Sequence, residues 1–328
     1  MSSVVVVTEP EFRRAEAVFA ASSLQCVVAP AAEADLAKAA RAAGARHAIV
    51  GPFVYRGELY AALPAGGVLA RYGVGHDGID KRLATAAGLL CTNTPDVLHQ
   101  SVAELTMLLI LAAARHFEQV STAMRGAMWT PQPGGELHGK TLAIIGCGTI
   151  GRATAHIAKA GFGMRVVGYR RSAPAPEGDL EFDAITTDFG EAVGRADYVS
   201  LHIPASPENA GFMNGTRIPL LQRHAWLINT ARGAVVDEPT LYDAVLVGRI
   251  AGAALDVFVN EPYVPADPDK DLRTLRSVLL VPHIGSNTAE ANVRMAERAL
   301  RNVTLGERGD FAAMDLLNPE VVSGRART

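Results

Sequence analysis

The chain has 328 residues, of which 49% are hydrophobic and 20% are charged. Its 31 Lys and Arg residues against 34 Asp and Glu residues give a net charge of −3, which argues against binding to nucleic acid or to anionic membranes, because both need a basic surface. The high apolar content excludes intrinsic disorder, and a typical domain of roughly 100–200 residues predicts about two domains.

The cysteines, Cys26, Cys91 and Cys147, are odd in number and far apart. Their spacing predicts neither a disulfide framework nor a metal site. The N-terminal segment lacks a charged region and reaches Glu9 too early for a signal peptide, and the longest apolar stretch is far shorter than the roughly 20 residues of a membrane span. We therefore expect a cytoplasmic protein with reduced thiols.

Short β-rich runs alternate with Ala-rich helical stretches, a pattern that predicts parallel α/β sheets. The first series of predicted strands covers residues 4–7, 25–28, 48–50, 69–72 and 89–92. The second series covers residues 141–145, 165–169, 198–202, 226–229, 252–257 and 278–281. Helices are predicted at 33–43 and 239–247 between strands, and at 101–117 and 287–302 near the two places where we expect the chain to pass between domains.

A glycine loop, Gly146-Cys147-Gly148-Thr149-Ile150-Gly151, follows the predicted strand at 141–145 and opens a helical run. In this context GxGxxG predicts dinucleotide binding. Gly146 allows the tight turn, Gly148 lets the backbone approach a pyrophosphate, and Gly151 allows close packing of helix and strand. The helix N-terminus presents free N–H groups to the phosphates. The alternative is a structural glycine turn.

The next strand, at 165–169, ends in Arg170-Arg171-Ser172 rather than in the acid that favours NAD, and the first later acid is Glu177. Guanidinium groups suit a 2′-phosphate dianion, and Ser172 could add a hydroxyl donor. We therefore favour NADP over NAD. The alternative is a solvated arginine pair beside NAD.

Three later segments each follow a predicted strand and carry Arg232, Glu261 and His283. Ligands of open parallel sheets bind beyond the carboxyl ends of the strands, so these side chains are expected near the nicotinamide. Arg232 can hold a substrate carboxylate and polarise the carbonyl, and His283 can protonate the new alkoxide. Glu261 would orient the imidazole and favour its charged form. Each residue alone has a structural alternative. Arg232 could form a surface salt bridge, Glu261 could belong to a turn, and His283 could bond to the backbone.

With these segments in place, the sequence resembles the D-isomer-specific 2-hydroxyacid dehydrogenase family over nearly its whole length. The motifs that carry the resemblance are Arg71-Tyr72-Gly73-Val74-Gly75-His76-Asp77-Gly78-Ile79-Asp80, Asn93-Thr94-Pro95, Val102-Ala103-Glu104, the glycine loop, the Arg, Glu and His segments, and Asn318-Pro319-Glu320. The resemblance implies two Rossmann-like or flavodoxin-like parallel-sheet domains with an active-site cleft between them. Residues 1–99 and 286–328 would form a discontinuous substrate-binding domain, and residues 100–285 would form the dinucleotide-binding domain. The resemblance also implies a homodimer.

The resemblance also implies further cofactor contacts. Thr149 and Ile150 would lie in the phosphate loop, with His202 and Pro204 on the adenosine side. The residues expected around the nicotinamide and its ribose are Thr230, Ala231, Asp256 and Ser286.

For the substrate, Val74 and Gly75 offer backbone N–H groups on a glycine-rich loop, which suits a carboxylate. His76 is expected at the variable end of the substrate, and Phe53 and Tyr55 are candidates for shaping the pocket. Ordinary packing is an equal alternative for each.

The resulting hypothesis is an NAD(P)-dependent oxidoreductase, with NADP preferred, that reduces a small 2-oxo acid such as glyoxylate or hydroxypyruvate to its D-2-hydroxy acid. No metal, nucleic acid or membrane is expected to take part. Two alternatives inside the family are 3-phosphoglycerate and phosphite as substrates. The alternative from another class is a corepressor-like module that senses nicotinamide redox state.

Overall fold

The computed structural model describes residues 3–172 and 179–323, so Glu177 lies outside the described residues. The chain folds into two compact units, Met1–Leu98 with Ser286–Thr328 and His99–Gly285. Among the described residues, no helix is both long and apolar enough to cross a bilayer.

Strands and helices alternate through both units. In chain order, the described strands are β1 (Val4–Thr8), β2 (Gln25–Ala29), β3 (His47–Val50), β4 (Val68–Arg71), β5 (Leu90–Thr92), β6 (Thr141–Ile145), β7 (Arg165–Tyr169), β8 (Ala184–Thr186), β9 (Tyr198–Leu201), β10 (Trp226–Asn229), β11 (Gly252–Leu255) and β12 (Val278–Leu280). The described α-helices are α1 (Glu9–Arg14), α2 (Glu16–Ala20), α3 (Glu33–Ala42), α4 (Glu58–Ala62), α5 (Lys81–Ala86), α6 (His99–Ala114), α7 (Phe117–Arg125), α8 (Thr149–His156), α9 (Phe189–Val193), α10 (Glu238–Leu246), α11 (Ala289–Arg308) and α12 (Glu320–Ser323).

The first unit holds a five-stranded sheet in the order β2-β1-β3-β4-β5, with every pairing parallel. This is the flavodoxin-like order of a doubly wound sheet. Its central strands are buried on both faces, which explains the uninterrupted valine run of β1. The returning C-terminal section completes the unit, because α11 packs against β4 and β5.

The second unit holds a seven-stranded parallel sheet in the order β12-β11-β10-β9-β6-β7-β8. The strand order reverses between β6 and β9, which creates the crevice where dinucleotides bind in Rossmann folds. The prediction of two parallel α/β sheets is confirmed.

Two elements of the second unit escaped sequence prediction. Strand β8 has three residues, none of them buried, so it lacks the apolar run that marked the other strands. Helix α7 buries no residue, and the predicted helix over 101–117 is interrupted at His116, which has a left-handed φ of 51°. Strand β11 ends at Leu255 and β9 at Leu201, so Asp256 and His202 each begin the loop after a strand.

Candidate active site

The glycine loop lies at the switch point of the second unit, and its three glycines meet different surroundings. A Cβ on Gly146, whose φ is +108°, would lie 2.5 Å from the carbonyl oxygen of His202, and one on Gly151 would lie 2.1 Å from the carbonyl oxygen of Gly146. A Cβ on Gly148 would have no atom within 4 Å. Protein packing therefore requires glycine at 146 and 151, whereas the open side of Gly148 leaves room for a ligand.

The first turn of α8 is suited to an anion. Gly148 is the N-cap and makes no side-chain cap hydrogen bond, and the first turn contains no acidic residue. Thr149 is exposed and Ile150 half-buried at this turn. The positive end of the helix dipole and the open space beside Gly148 fit a dinucleotide pyrophosphate.

The two arginines after β7 lie on the exposed side of the loop. Arg171 and Ser172 are exposed, while Arg170 is half-buried and its Nε donates to the carbonyl oxygen of Ser172 at 3.1 Å. A hydrogen bond from Ser206 and the charge of Arg171 lower the pKa of Glu208, so Arg171 is close to the loop after β9.

Three contacts between basic and acidic side chains fasten the segment before β8 to the helical stretch that starts at the glycine loop, and sequence analysis missed them. Their shortest distances are 2.8 Å for Arg152–Asp179, 3.0 Å for His156–Glu181 and 2.8 Å for Lys159–Asp183. The basic residues recur every three or four positions and the acidic ones every two. One face of a helix therefore contacts an extended segment. The matching spacings of basic and acidic residues are a sequence signal that could have predicted this contact.

The loops after β9 and β10 complete the crevice of the second unit. His202 Nε2 is 2.8 Å from Ser200 Oγ, and burial lowers the pKa of His202 to about 4, so its ring is neutral near pH 7. Pro204 is exposed, and its carbonyl oxygen accepts a hydrogen bond from the Asn209 amide. Thr230 is buried, with its Oγ1 2.9 Å from Thr106 Oγ1.

The structure brings Glu261 and His283 together at the carboxyl ends of β11 and β12. Glu261 Oε2 is 2.6 Å from His283 Nδ1, and Glu261 Oε1 accepts a hydrogen bond from the Phe258 N–H at 3.0 Å. Burial alone would raise the pKa of Glu261, but the hydrogen bond and charge of His283 outweigh it and hold that pKa below its ordinary value. The lowered pKa favours the ionised carboxylate of Glu261 beside the imidazole.

Arg232 follows β10, the neighbour of β11 in the sheet. Its Nη1 donates to the carbonyl oxygen of Ala231 at 2.6 Å, and the Asn229 amide donates to the Arg232 carbonyl oxygen at 2.9 Å. Its positive charge also contributes to the lowered pKa of Glu261. The sequence-predicted trio therefore occupies the ends of three adjacent strands.

Asp256 holds the turn that carries His283. Its two carboxylate oxygens accept the N–H groups of Ile284 at 2.6 Å and Gly285 at 2.8 Å, while its carbonyl oxygen accepts the His283 N–H at 2.8 Å. His283 has a left-handed φ of 50°. Consecutive N–H groups in such a turn form an anion-binding concavity, and here Asp256 is the anion. Both of its oxygens accept hydrogen bonds from this turn, so Asp256 supports the backbone that carries the histidine.

In the first unit, the glycine-rich loop after β4 is held by the Asn-Thr-Pro segment after β5. The Asn93 amide donates to the Val74 carbonyl oxygen at 2.8 Å, and the Gly73 N–H donates to Thr94 Oγ1 at 2.9 Å. Val74, Gly75 and His76 are each half-buried. This loop therefore presents a fixed backbone at the carboxyl end of its sheet.

The two aromatic candidates of the first unit differ. Phe53 is exposed, whereas Tyr55 is 1% exposed and packs in the hydrophobic core with residues such as Leu59 and Ile79. The expectation that Tyr55 shapes a pocket is corrected, because its ring has no accessible face. Ser286 is half-buried and is the first residue of the returning section.

Comparison with known proteins identifies the family. Residues 107–285 match the model of the D-isomer specific 2-hydroxyacid dehydrogenase, NAD binding domain. The chain is 39% identical over 275 residues to a glyoxylate reductase from Thermococcus litoralis, with 81% of each chain covered. The chain belongs to the D-isomer-specific 2-hydroxyacid dehydrogenase family.

Two further relatives extend this result. The chain is 38% identical over 247 residues to a D-3-phosphoglycerate dehydrogenase from Methanocaldococcus jannaschii, covering 75% of this chain and 46% of the relative. It superposes with a TM-score of 0.79 and 28% identity on the NADPH-dependent glyoxylate/hydroxypyruvate reductase from Sinorhizobium meliloti in complex with NADP and malonate, covering 93% of each chain. This family member is therefore an NAD(P)-dependent oxidoreductase that transfers a hydride between the nicotinamide and a small 2-oxo or 2-hydroxy acid.

Proposed function

We propose that the protein reduces glyoxylate to glycolate or hydroxypyruvate to D-glycerate, with NADPH as the preferred reductant. The observation that carries the proposal is the Glu261–His283 pair at 2.6 Å. The pair lies at the carboxyl ends of β11 and β12, and Arg232 follows β10, the neighbour of β11. The glyoxylate reductase relatives and the NADP-complexed neighbour support this choice of substrate and cofactor. We assign cofactor binding to the second unit and further substrate contacts to the loop after β4 in the first.

Reduction builds negative charge on the carbonyl oxygen. When bound, the nicotinamide supplies the hydride. Arg232 holds the substrate carboxylate and stabilises the developing oxyanion, a contribution of about 3–4 kcal/mol in similar sites. His283, charged and oriented through Nδ1 by Glu261, donates a proton from Nε2 to that oxygen. The oxidative direction requires the neutral imidazole as the base.

The substrate-binding proposal assigns the carboxylate to the Val74 and Gly75 backbone and the variable end of the substrate to His76 and Phe53. The support is the loop geometry, in which Asn93 fixes the Val74 carbonyl group. Small 2-oxo acids differ in one substituent, so a single side chain such as His76 can set the preference among them.

A kinetic panel tests the substrate and the rival function together. Glyoxylate, hydroxypyruvate, pyruvate, phosphohydroxypyruvate and phosphite are each assayed at the nicotinamide absorbance band with both cofactors. We expect the highest kcat/KM with glyoxylate or hydroxypyruvate and NADPH. Nicotinamide binding without turnover on any substrate would favour a redox-sensing module instead.

Cofactor preference is tested at Arg170 and Arg171. Removing both guanidinium groups (R170A/R171A) should lower the ratio of kcat/KM for NADPH to that for NADH about 10- to 100-fold, as expected for lost charge-assisted hydrogen bonds to a phosphate. R165A, at the exposed amino end of β7, is the matched control. An unchanged ratio in the double variant would mean that the two arginines are solvated and do not bind the 2′-phosphate, and it would favour NAD as the cofactor.

We also propose a cytoplasmic homodimer that uses the exposed side of α7 and the segment after it. Helix α7 buries no residue, and Phe117, Met124, Met128 and Trp129 are all exposed, with Trp129 at 81%. Exposed apolar groups of this kind support an interface with a second copy. Light scattering should give a dimer mass, and M124S/W129S should give a monomer; a wild-type monomer would contradict the proposal. All three cysteines are free, which agrees with a reducing compartment.

A further inference from the structure

A buried carboxyl group outside the predicted site lies against the turn that carries Glu261. Glu238, the first residue of α10, is 5% exposed. Its Oε1 accepts a hydrogen bond from the Val259 N–H at 2.7 Å. Its Oε2 is buried and has no hydrogen-bond partner among the described residues.

Two neighbouring backbone N–H groups of this turn therefore go to two different glutamates. Phe258 donates to Glu261 Oε1 at 3.0 Å, and Val259 donates to Glu238 Oε1 at 2.7 Å. The Glu261 contact is internal to the turn, whereas the Glu238 contact ties the turn to α10. The second oxygen of Glu261 remains available to His283.

The backbone after Arg232 closes on the same turn. A Cβ on Gly233 would lie 1.9 Å from the Phe258 carbonyl carbon and 2.4 Å from the Val259 nitrogen, so the two segments touch directly. Glu238 follows Gly233 by five residues and holds the turn in this contact. The spacing between the Arg232 segment and the Glu261 turn thus depends on a hydrogen bond that neither catalytic candidate makes.

The surroundings of Glu238 favour its uncharged form. An ionised carboxylate would leave Oε2 as a buried, unpaired charge, which is more costly than an unpaired neutral hydroxyl. Glu261, paired with His283, is already ionised nearby, and two neighbouring carboxylates resist sharing the charged state. Burial and the charge of Glu261 both raise the pKa of Glu238, against the Val259 hydrogen bond and the helix dipole, which favour the charged form.

We propose that Glu238 is a positioning residue: as an uncharged acceptor, it fixes the Phe258–Glu261 turn against α10 and so sets the pairing of Glu261 with His283. This inference rests on the proposed catalytic roles of Glu261 and His283. Three other charged or titratable groups interact electrostatically with Glu261 or His283, namely Arg232, Asp256 and Glu238.

Two variants at position 238 separate acceptor from charge. E238Q keeps an oxygen acceptor without charge and should keep the wild-type kcat and KM. E238L keeps the volume but leaves the Val259 N–H unpaired; it should lower kcat roughly 10- to 100-fold through misplacement of Glu261, with an unchanged KM for NADPH. E238Q activity as low as that of E238L would overturn the inference, as would full activity of E238L.

A matched control lies one residue earlier. Asp237 caps the same helix by accepting the Thr240 N–H at 3.2 Å. This bond lies at the start of α10, whereas the bond of Glu238 reaches the turn. D237A should lower Tm by weakening the start of α10 while leaving kcat unchanged. Loss of kcat in D237A equal to that in E238L would assign the effect to the helix and overturn the positioning role.

A measurement without substrate keeps the test independent of turnover and of E238L folding. The imidazole of His283 is titrated by NMR in the wild type and in E238Q, with H283N used for assignment. An unchanged midpoint supports the uncharged form of Glu238, whereas a lower midpoint in E238Q would show that a negative charge was removed and would overturn it. Inactive wild type or active H283N would contradict the proposed function instead, so the two failures are distinguishable.

Discussion

One histidine–glutamate pair from each unit, His47–Glu307 and His283–Glu261, can be compared, and the two differ in burial and in the use of the second ring nitrogen. In the first unit, His47 at the start of β3 is fully buried, with Nε2 3.0 Å from Glu307 Oε1 and Nδ1 accepting the Val68 N–H at 3.0 Å. In the second unit, His283 is 34% exposed and uses Nδ1 on Glu261 at 2.6 Å. Its Nε2 has no partner among the described residues.

The second ring nitrogen accounts for the difference. His47 accepts at Nδ1, so its proton stays on Nε2 and the ring is locked as one neutral tautomer. It joins β3 to α11, the helix of the returning section, and so closes the discontinuous unit. In His283, Nε2 is the atom to which our proposal assigns the proton transfer. The His–Glu distance alone therefore does not distinguish the two pairs, whereas the exposure of the ring and the partner of its second nitrogen do.

The largest effect that this comparison predicts is on turnover. H283N should lower kcat about 10²- to 10⁴-fold by removing the general acid, while NADPH binding measured by fluorescence is retained. The control is H156N, which removes an exposed histidine paired at 3.0 Å with Glu181 in the same unit. Near-wild-type turnover in H283N, or an equal loss in H156N, would refute the distinction between the pairs.

A smaller change is expected from the partner carboxylate. E261Q should lower kcat roughly 10- to 100-fold by releasing the ring orientation. Reduction needs charged His283 and so declines as pH rises; the ionised Glu261 delays that decline. Without this charge, the alkaline limb of kcat/KM should move to lower pH. A limb that stays in place or moves upward would show that Glu261 does not stabilise the imidazolium.

Much of this architecture could be predicted from the sequence, because apolar strand runs and GxGxxG express local rules. The strands at 141–145, 165–169 and 226–229 have the predicted bounds. Strand β8 could not be found in this way, since it is held by pairing with β7, and the segment before it by contacts of Asp179 and Glu181 with α8, rather than by burial. Asp256 and Glu238 show the same limit at the site: their partners lie 28 and 21 residues away.

Tyr55 illustrates a different limit. Its place on the loop after β3 left pocket lining and ordinary packing equally open, and the chain turns there so that the Tyr55 N–H donates to the Gly78 carbonyl oxygen at 2.9 Å and the ring enters the core. The sequence also drew no attention to His47, because its position at the start of a buried strand carries no motif. Both outcomes depend on tertiary packing, which a loop or strand assignment leaves open.

The smallest expected effect concerns the stability of the His47 pair. Burial lowers the pKa of His47 against the opposing influence of Glu307, so the unfolded chain binds more protons than the folded one below about pH 6.5. Stability is then fully present above that pH and declines as pH falls. The free energy of unfolding should therefore fall as the pH is lowered from 7.5 to 5.5.

H47L isolates this contribution, because it removes the titrating ring while keeping an apolar side chain in the core. At pH 7.5 it should destabilise the protein by about 1–3 kcal/mol, since the Val68 N–H is left buried and unpaired, with kcat unchanged. The difference in unfolding free energy between H47L and the wild type should become smaller at pH 5.5. Titration of Glu307 does not interfere at this pH, because its pKa is lowered. Urea unfolding at the two pH values measures this, with the exposed-site variant H156L as the control. A constant difference would mean that His47 takes up its proton in the folded state as easily as in the unfolded one, and the contrast with His283 would then rest on the free ring nitrogen alone.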